Sequence, residues 1–257
     1  MVIAPSDHVI EEEPVFADTV RKALDYAAND EILLTLGIIP TSPNCNFGYV
    51  QVEGGRESYS RCELVKAKTF TEKPSEELAK VFVDSGEFLW NSGIFVWKAS
   101  AIRDEMHRCC PEITNLWKGW QKSLGTPREL RFIERVFSDS PHTSIDYAVL
   151  EKSHALWVLP SSFKWNDVDS FAGYYDFTSY KDASGNATAF VAGKLFLKEA
   201  EGNVIHENRS GKLLALRGLK DFVVIDTDDV LLIAPRDEKL LQDTFRELNG
   251  PEYQEYR

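Results

Sequence analysis

An almost wholly apolar segment that follows an amphipathic helix limits this chain to few folds. Residues 2–5 are typical of a short strand, and Pro14 begins a helix with one apolar face. The segment Glu31–Ile39 then has the composition of a strand covered by helices on both faces. Strand, helix and strand in this order predict a doubly wound α/β domain with a parallel sheet.

The middle of the chain adds mixed elements to this domain. A turn at Gly54-Gly55 leads to a predicted strand over residues 61–70, and Ser75 is predicted to cap a short helix. Three more helices are predicted over residues 100–110, 112–121 and 127–137.

The sequence changes character after about residue 180. Gly, Asn and Asp turns separate short apolar strands such as residues 222–225 and 230–233, and a last helix is predicted over residues 237–248. We therefore expect two domains. Residues 1–180 would form the α/β domain, and residues 181–257 a small β-rich domain with a terminal helix.

The composition excludes several classes of protein. The 257 residues carry a formal charge of -12, which opposes nonspecific binding to nucleic acid or to an anionic membrane. The four cysteines form no CxxC pair and are interpreted as reduced thiols. No export signal or membrane-spanning run is evident, so we expect a cytoplasmic protein.

Two aspartates are candidate metal ligands. Asp7 follows a strand end, and Asp167 lies in a polar break after the strand-like residues 155–159. Ligands of open α/β sheets gather beyond the carboxyl ends of strands, where two carboxylates could share Mg²⁺ or another divalent cation. The alternative is that each aspartate is a turn or helix cap, and for either one taken singly we favour that alternative.

Two short polar motifs could contact a phosphorylated sugar. Glu72 and Lys73 follow a strand and precede Pro74, where a lysine could bind phosphate and a glutamate could accept hydroxyl hydrogen bonds; a surface ion pair is equally plausible. Asn91 could bind a hydroxyl where Gly93 lets the backbone approach, or residues 90–93 could be an ordinary tight turn.

Other site chemistry finds little support in the sequence. None of the 15 glycines lies in a phosphate-binding G-x-G-x-x-G or G-x-x-x-x-G-K pattern. The five histidines, His8 among them, lack metal-ligand spacing and are interpreted as surface or core residues. No nucleophile can be assigned from spacing.

Six motifs in order resemble the mannose-1-phosphate guanylyltransferases, or GDP-mannose pyrophosphorylases. The motifs are residues 5–10, 47–49, 70–74, 91–95, 144–152 and 165–170. The resemblance runs from Val2 to about Leu248. It implies a Rossmann-like nucleotidyltransferase domain followed by a C-terminal β segment, often in homodimers.

The resemblance also implies a reaction and a set of roles. Such enzymes join mannose 1-phosphate to GTP, releasing pyrophosphate and GDP-mannose for nucleotide-sugar biosynthesis. The reaction is an in-line attack of the sugar phosphate on the α-phosphorus, with Mg²⁺ and Lys73 offsetting charge. Asp7, Lys73 and Asp167 match catalytic positions, with Asp7 and Asp167 as the metal pair. The matching substrate-binding positions are Gly48, Tyr49, Glu72, Asn91, Gly93 and Asp146.

Two departures from the family pattern leave alternatives open. Asp169 stands where such proteins usually carry glycine. The family's glycine-rich opening segment has no counterpart, so we expect the chain to be a fragment whose doubly wound nucleotidyltransferase domain is incomplete. One alternative is a noncatalytic sugar-phosphate-binding or regulatory protein. Another is a pyrophosphorylase for a different sugar 1-phosphate.

Overall fold

The protein consists of two compact units. The computed structural model describes residues 1–59, 62–168, 170–209 and 211–256. The first unit contains Met1–Ser6 and Ile10–Trp165, and the second contains Asp7–Val9 with the chain from Asn166 onward. The domain boundary at residue 180 stays a prediction.

Strands and helices alternate in the first unit, and strands dominate the second. The strands are β1 (Val2–Ile3), β2 (His8–Ile10), β3 (Leu33–Ile38), β4 (Tyr49–Val52), β5 (Val65–Thr71), β6 (Phe88–Trp97), β7 (Leu156–Ser161), β8 (Trp165–Asp167), β9 (Ala187–Val191), β10 (Lys194–Lys198), β11 (Val204–Glu207), β12 (Leu213–Arg217), β13 (Phe222–Asp226) and β14 (Leu231–Pro235). The α-helices are α1 (Glu13–Asn29), α2 (Arg56–Tyr59), α3 (Glu76–Ser85), α4 (Ala99–Cys109), α5 (Pro111–Leu116), α6 (Glu129–Asp139), α7 (Phe171–Phe177) and α8 (Glu238–Leu248). A π-helical turn spans Asp146–Leu150, and 3₁₀ segments span Trp120–Lys122 and Pro251–Tyr256.

A six-stranded mixed sheet organises the first unit, with the strand order β1-β6-β3-β7-β5-β4. The α/β prediction is confirmed, but the expected parallel sheet is only partly right. Strands β3 and β7 pair in parallel, whereas β6 lies between β1 and β3 and is antiparallel to both. The long-range insertion of β6 between two strands that are close in sequence left no local signal.

Helices cover both faces of this sheet. Every residue of β3 is buried, as its apolar sequence predicts. Leu34 and Leu36 pack with Ala23 of α1 in one cluster, whereas Leu33 packs with Ala101 of α4 in another. The alternation along β3 thus supplies the core on both sides.

Local signals predicted one element boundary correctly and two wrongly. Ser75 caps α3, since its hydroxyl accepts a hydrogen bond from Leu78 N at 3.3 Å. The helix predicted over residues 112–121 instead ends at Leu116, and Gly119 adopts a left-handed φ of 86° that interrupts the helical path. The strand predicted to start at Arg61 begins at Val65, and Arg61 itself lies outside the described residues.

The second unit is built from stacked parallel strands. Strands β9, β11 and β13 pair in parallel, β10 and β12 pair in parallel, and β14 returns antiparallel to β13. Buried Asn186 and Asn203 lie before β9 and β11, and Asn203 Nδ2 donates to Asn186 Oδ1 at 2.8 Å. The predicted β-rich region with a terminal helix is confirmed.

The four cysteines are free thiols. Of the helices in the described ranges, none is long and apolar enough to span a bilayer.

Candidate functional site

The predicted site residues fall into two groups, one in each unit. Asp7 and Asp167 belong to the second unit. The first unit holds Gly48, Tyr49, Glu72, Lys73, Asn91, Gly93 and Asp146.

The structure brings Asp7 and Asp167 together and adds His8 to them. One ligand atom from each of the three residues lies within 4.8 Å of the other two. The distance from His8 Nε2 to Asp167 Oδ1 is 3.8 Å. Burial lowers the pKa of His8, and the neighbouring charge of Asp7 opposes that shift.

This donor set fits a divalent cation. Two carboxylates supply the oxygen ligands and the negative charge that Mg²⁺ or Mn²⁺ requires, and the imidazole adds a nitrogen that Mn²⁺ accepts more readily. The sequence did not predict His8 as a ligand, because the five histidines lack metal-ligand spacing, although its position beside Asp7 was a usable signal. Asp169 lies outside the described residues.

Glu72 is the most perturbed acid of the first unit. Burial raises the pKa of Glu72 to about 7; the Asp146 and Glu151 charges act in the same direction, and Lys73 opposes them. Glu72 Oε2 is buried without a hydrogen-bond partner in the described part of the chain. A buried acceptor of this kind is costly unless a ligand donates to it.

Gly48 makes room for the Glu72 carboxylate. A Cβ atom at residue 48 would overlap Glu72 Oε2 and lie 3.2 Å from Phe70 Cζ and 3.3 Å from Asn91 Cβ. The Gly48 carbonyl also accepts a hydrogen bond from Asn91 N at 2.7 Å. Glycine at this position therefore allows Glu72 and Asn91 to approach each other.

Asn91 and Asp146 face each other beside Glu72. Asn91 is 9% exposed, and its Nδ2 donates to Asp146 Oδ1 at 3.4 Å. Burial raises the pKa of Asp146, and a hydrogen bond with Ser144 opposes the shift. Asp146 is the first residue of the π-helical turn, a distortion found frequently at functional sites.

A bulge in β6 shapes this group. The pairing moves two positions along β3, from Thr35 to Gly37, while it moves four positions along β6, from Phe95 back to Asn91. Gly93 sits inside the bulge with a φ of 71°, so the alternative of an ordinary tight turn is replaced by a bulge within a continuous strand.

Lys73 and Tyr49 have contrasting environments. Lys73 is exposed and has a φ of 46°, a left-handed conformation at the end of β5. Tyr49 is fully buried, its ring lies 5.4 Å from that of Phe82, and its hydroxyl donates to Asn44 O. The side chain of Tyr49 therefore packs in the core, and its substrate-binding role stays a prediction.

Glu151 was not singled out from the sequence. Its Oε1 accepts a hydrogen bond from the backbone N of Glu72 at 3.2 Å, which ties the β5 end to the π-helical turn. Its place in the motif 144–152 was the available signal.

The match to a family model decides the affiliation of the chain. The model described as "Nucleotidyl transferase" matches residues 1–184. The chain belongs to the nucleotidyl transferase family. Its resemblance to the mannose-1-phosphate guanylyltransferases is confirmed by curated relatives of that name.

Several curated relatives are similar over most of this nucleotidyl transferase chain. The xanthan biosynthesis protein XanB of Xanthomonas campestris pv. campestris (strain B100) is 34% identical over 92% of the chain and 48% of its own length. A mannose-1-phosphate guanylyltransferase of Escherichia coli is 31% identical over 92% of the chain and 50% of its own length. The mannose-1-phosphate guanylyltransferase RfbM of Salmonella typhimurium is 32% identical over 100% of the chain and 52% of its own length. The chain thus spans about half the length of these relatives.

A solved structure supports the fold. The crystal structure of a mannose-1-phosphate geranyltransferase from Thermus thermophilus superposes with a TM-score of 0.76 and 24% identity, covering 97% of this chain and 69% of that one. At this identity the likeness shows the fold alone, and it confirms the predicted α/β domain followed by C-terminal strands.

The raised pKa of Glu72 predicts a pH-dependent stability. The pKa of Glu72 is about 7 in the folded state and 4.5 ordinarily, so the folded state binds this proton more tightly than the unfolded state does. The resulting contribution to the free energy of unfolding is fully present below pH 4.5 and is lost as pH rises through 7. The shift is worth about 3 kcal/mol at most. Solvent screening of this partly exposed carboxyl reduces the expected loss to about 1–2 kcal/mol.

Urea unfolding at pH 5 and pH 8 measures this loss. We expect Glu72→Gln to flatten the pH dependence by that amount, while Glu134→Gln, at an exposed position on α6, leaves it unchanged. If the free energy of unfolding depends on pH identically in the wild type and in Glu72→Gln, the pKa of Glu72 is not raised in the folded protein.

Proposed function

We propose that this chain is part of an enzyme that transfers guanylyl from GTP to mannose 1-phosphate, giving GDP-mannose and pyrophosphate. The observation that carries the proposal is the buried Glu72 oxygen beside Asn91 and Asp146, to which none of the described residues donates a hydrogen bond. A group of acceptors and one amide donor suits the hydroxyls of a sugar. The names of the curated relatives support mannose as that sugar.

Each residue of the first unit has a distinct proposed task. Glu72 accepts a hydrogen bond from a sugar hydroxyl, and Asn91 donates one through Nδ2. Asp146 holds the Asn91 amide. Lys73, exposed at the end of β5, binds the sugar phosphate as a point charge.

Asp7 and Asp167, with His8, are the residues that would hold the divalent cation. When bound, such an ion supplies positive charge that offsets the charge of the phosphates. We thus propose both that the reaction uses a divalent cation and that these two carboxylates bind it.

The proposed reaction needs no protein nucleophile. An oxygen of mannose 1-phosphate forms a bond to the α-phosphorus of GTP, the bond from that phosphorus to the β-phosphate oxygen breaks, and pyrophosphate leaves with the electron pair. The residues of the chain act by orienting the sugar phosphate and offsetting charge. The setting is proposed to be the cytoplasm.

Incubation of the chain with GTP, mannose 1-phosphate and Mg²⁺ tests the function. Formation of GDP-mannose and pyrophosphate supports the enzyme. Binding of mannose 1-phosphate without turnover supports a noncatalytic sugar-phosphate-binding protein, which the absence of a glycine-rich phosphate motif in the sequence favours as the second candidate. Competition with glucose 1-phosphate distinguishes a pyrophosphorylase for another sugar.

Lys73→Ala tests the phosphate contact. Loss of a charge-assisted bond is expected to weaken mannose 1-phosphate binding by about 1.5–3 kcal/mol, as measured by titration calorimetry. Lys80→Ala is the matched control, because Lys80 is exposed on α3 and pairs with Glu76. If the wild type and Lys73→Ala bind mannose 1-phosphate with equal affinity, Lys73 does not contact the phosphate.

A further inference from the structure

The side-chain amide of Asn91 is anchored from inside the sheet by Thr35. Thr35 is fully buried in β3, and its hydroxyl donates to Asn91 Oδ1 at 2.7 Å. The alternative acceptor, the Ile94 carbonyl, is 3.4 Å from the same hydroxyl. The shorter distance makes the Asn91 amide the main partner of this buried hydroxyl.

Two further contacts allow one orientation of the amide. The backbone N–H of Gly93 donates to Asn91 Oδ1 at 3.2 Å, and Asp146 Oδ1 lies 3.4 Å from Nδ2. In a flipped amide, Nδ2 would face the Gly93 N–H and Oδ1 would face the carboxylate. Donor would meet donor and acceptor would meet acceptor, so the flip is unfavourable at both ends.

Packing alone does not require a hydroxyl at residue 35. The remaining residues of β3 are Leu33, Leu34, Leu36, Gly37 and Ile38. Valine has nearly the shape of threonine and would avoid the cost of burying a hydroxyl in this apolar strand. The bond to Asn91 is what offsets that cost.

We propose that Thr35 is a positioning residue that fixes the Asn91 amide so that its NH₂ group is presented to the sugar. The role rests on the proposed function, because it concerns how the chain binds mannose 1-phosphate. Thr35 acts through Asn91 and does not itself touch the ligand. Nothing in the apolar run of β3 identified it from sequence.

The test compares hydroxyl-free and hydroxyl-bearing variants. Thr35→Val removes the donor at nearly constant shape, Thr35→Ser keeps the donor, and Thr35→Ala is a second hydroxyl-free variant in case valine disturbs folding. Ser161→Ala is the matched control, because it removes another buried hydroxyl from the adjacent strand β7, where Ser161 donates to Leu159 O. Thermal unfolding verifies that each variant is folded.

Calorimetric titration with mannose 1-phosphate gives the first readout. Thr35→Val and Thr35→Ala are expected to weaken binding about tenfold, which corresponds to about 1.4 kcal/mol. Thr35→Ser and Ser161→Ala are expected to stay within about twofold of the wild type, well below that energy. Wild-type affinity in Thr35→Val, or an equal loss in Thr35→Ser, would overturn the proposal.

The NMR signal of the Asn91 side-chain NH₂ gives a second readout that needs no ligand. The signal is identified by its loss in Asn91→Asp. It should shift or broaden in Thr35→Val but match the wild type in Thr35→Ser. If the wild type fails to bind mannose 1-phosphate, the proposed function fails, whereas an unchanged Asn91 signal in Thr35→Val refutes the positioning role by itself.

Discussion

Asp167→Asn is expected to lower the affinity of the chain for Mn²⁺ at least about a hundredfold. Loss of a residue that merely supports a metal ligand commonly costs 10–100-fold, so loss of a ligand charge should cost no less. The asparagine keeps an oxygen but removes one of the two carboxylate charges beside His8. Titration of Mn²⁺ followed by electron paramagnetic resonance measures the free ion directly.

Asp139→Asn is the control for net charge. It makes the same chemical change at an exposed position on α6, in the other unit. Its Mn²⁺ affinity should equal that of the wild type. Equal affinities in Asp167→Asn and Asp139→Asn would show that Asp167 does not bind the ion.

Gly48→Ala is expected to weaken mannose 1-phosphate binding at least about thirtyfold, or about 2 kcal/mol. The added methyl group would overlap Glu72 Oε2 and crowd Phe70 and Asn91. The Glu72 carboxylate would have to leave its position, and its raised pKa should fall as it becomes solvated. Calorimetric titration of the folded variant measures the affinity.

Gly86→Ala separates loss of the site from general strain. Its Cβ would overlap Arg56 Nε and lie 2.8 Å from Arg56 Cδ, and its φ of 66° is strained for alanine. We expect Gly86→Ala to lower the unfolding free energy while leaving the affinity of the folded protein within a few-fold, less than about 1 kcal/mol. If both variants lose affinity equally, the Gly48 effect is one of packing.

Signals confined to neighbouring residues predicted much of the fold correctly. The apolar face of α1, the doubly covered strand β3, the Ser75 cap and the terminal helix α8 are all present. Each depends on contacts within a few residues or on burial of a continuous segment. These are the terms that sequence periodicity reports.

The stacking in the second unit had a signal that went unused. Gly185-Asn186 and Gly202-Asn203 each precede a strand, and both glycines have positive φ. Asp221, before β13, also has a positive φ of 56°. The recurring Gly-Asn pair before a strand is present in the sequence. Without the neighbouring parallel strands, however, it cannot be distinguished from an ordinary turn.

The sequence by itself determined which segments are apolar. It also determined which polar residues the family-like motifs contain, namely the acids Asp7, Glu72, Asp146 and Asp167, the amide Asn91 and the lysine Lys73. Only the tertiary structure decided that β6 enters between β1 and β3, that His8 joins Asp7 and Asp167, and that Thr35 holds Asn91. The tertiary structure also decided the pKa of Glu72, because burial and the charge of Asp146 raise it. These properties arise between residues far apart in the chain, and their energies depend on distance and desolvation, which no local pattern encodes.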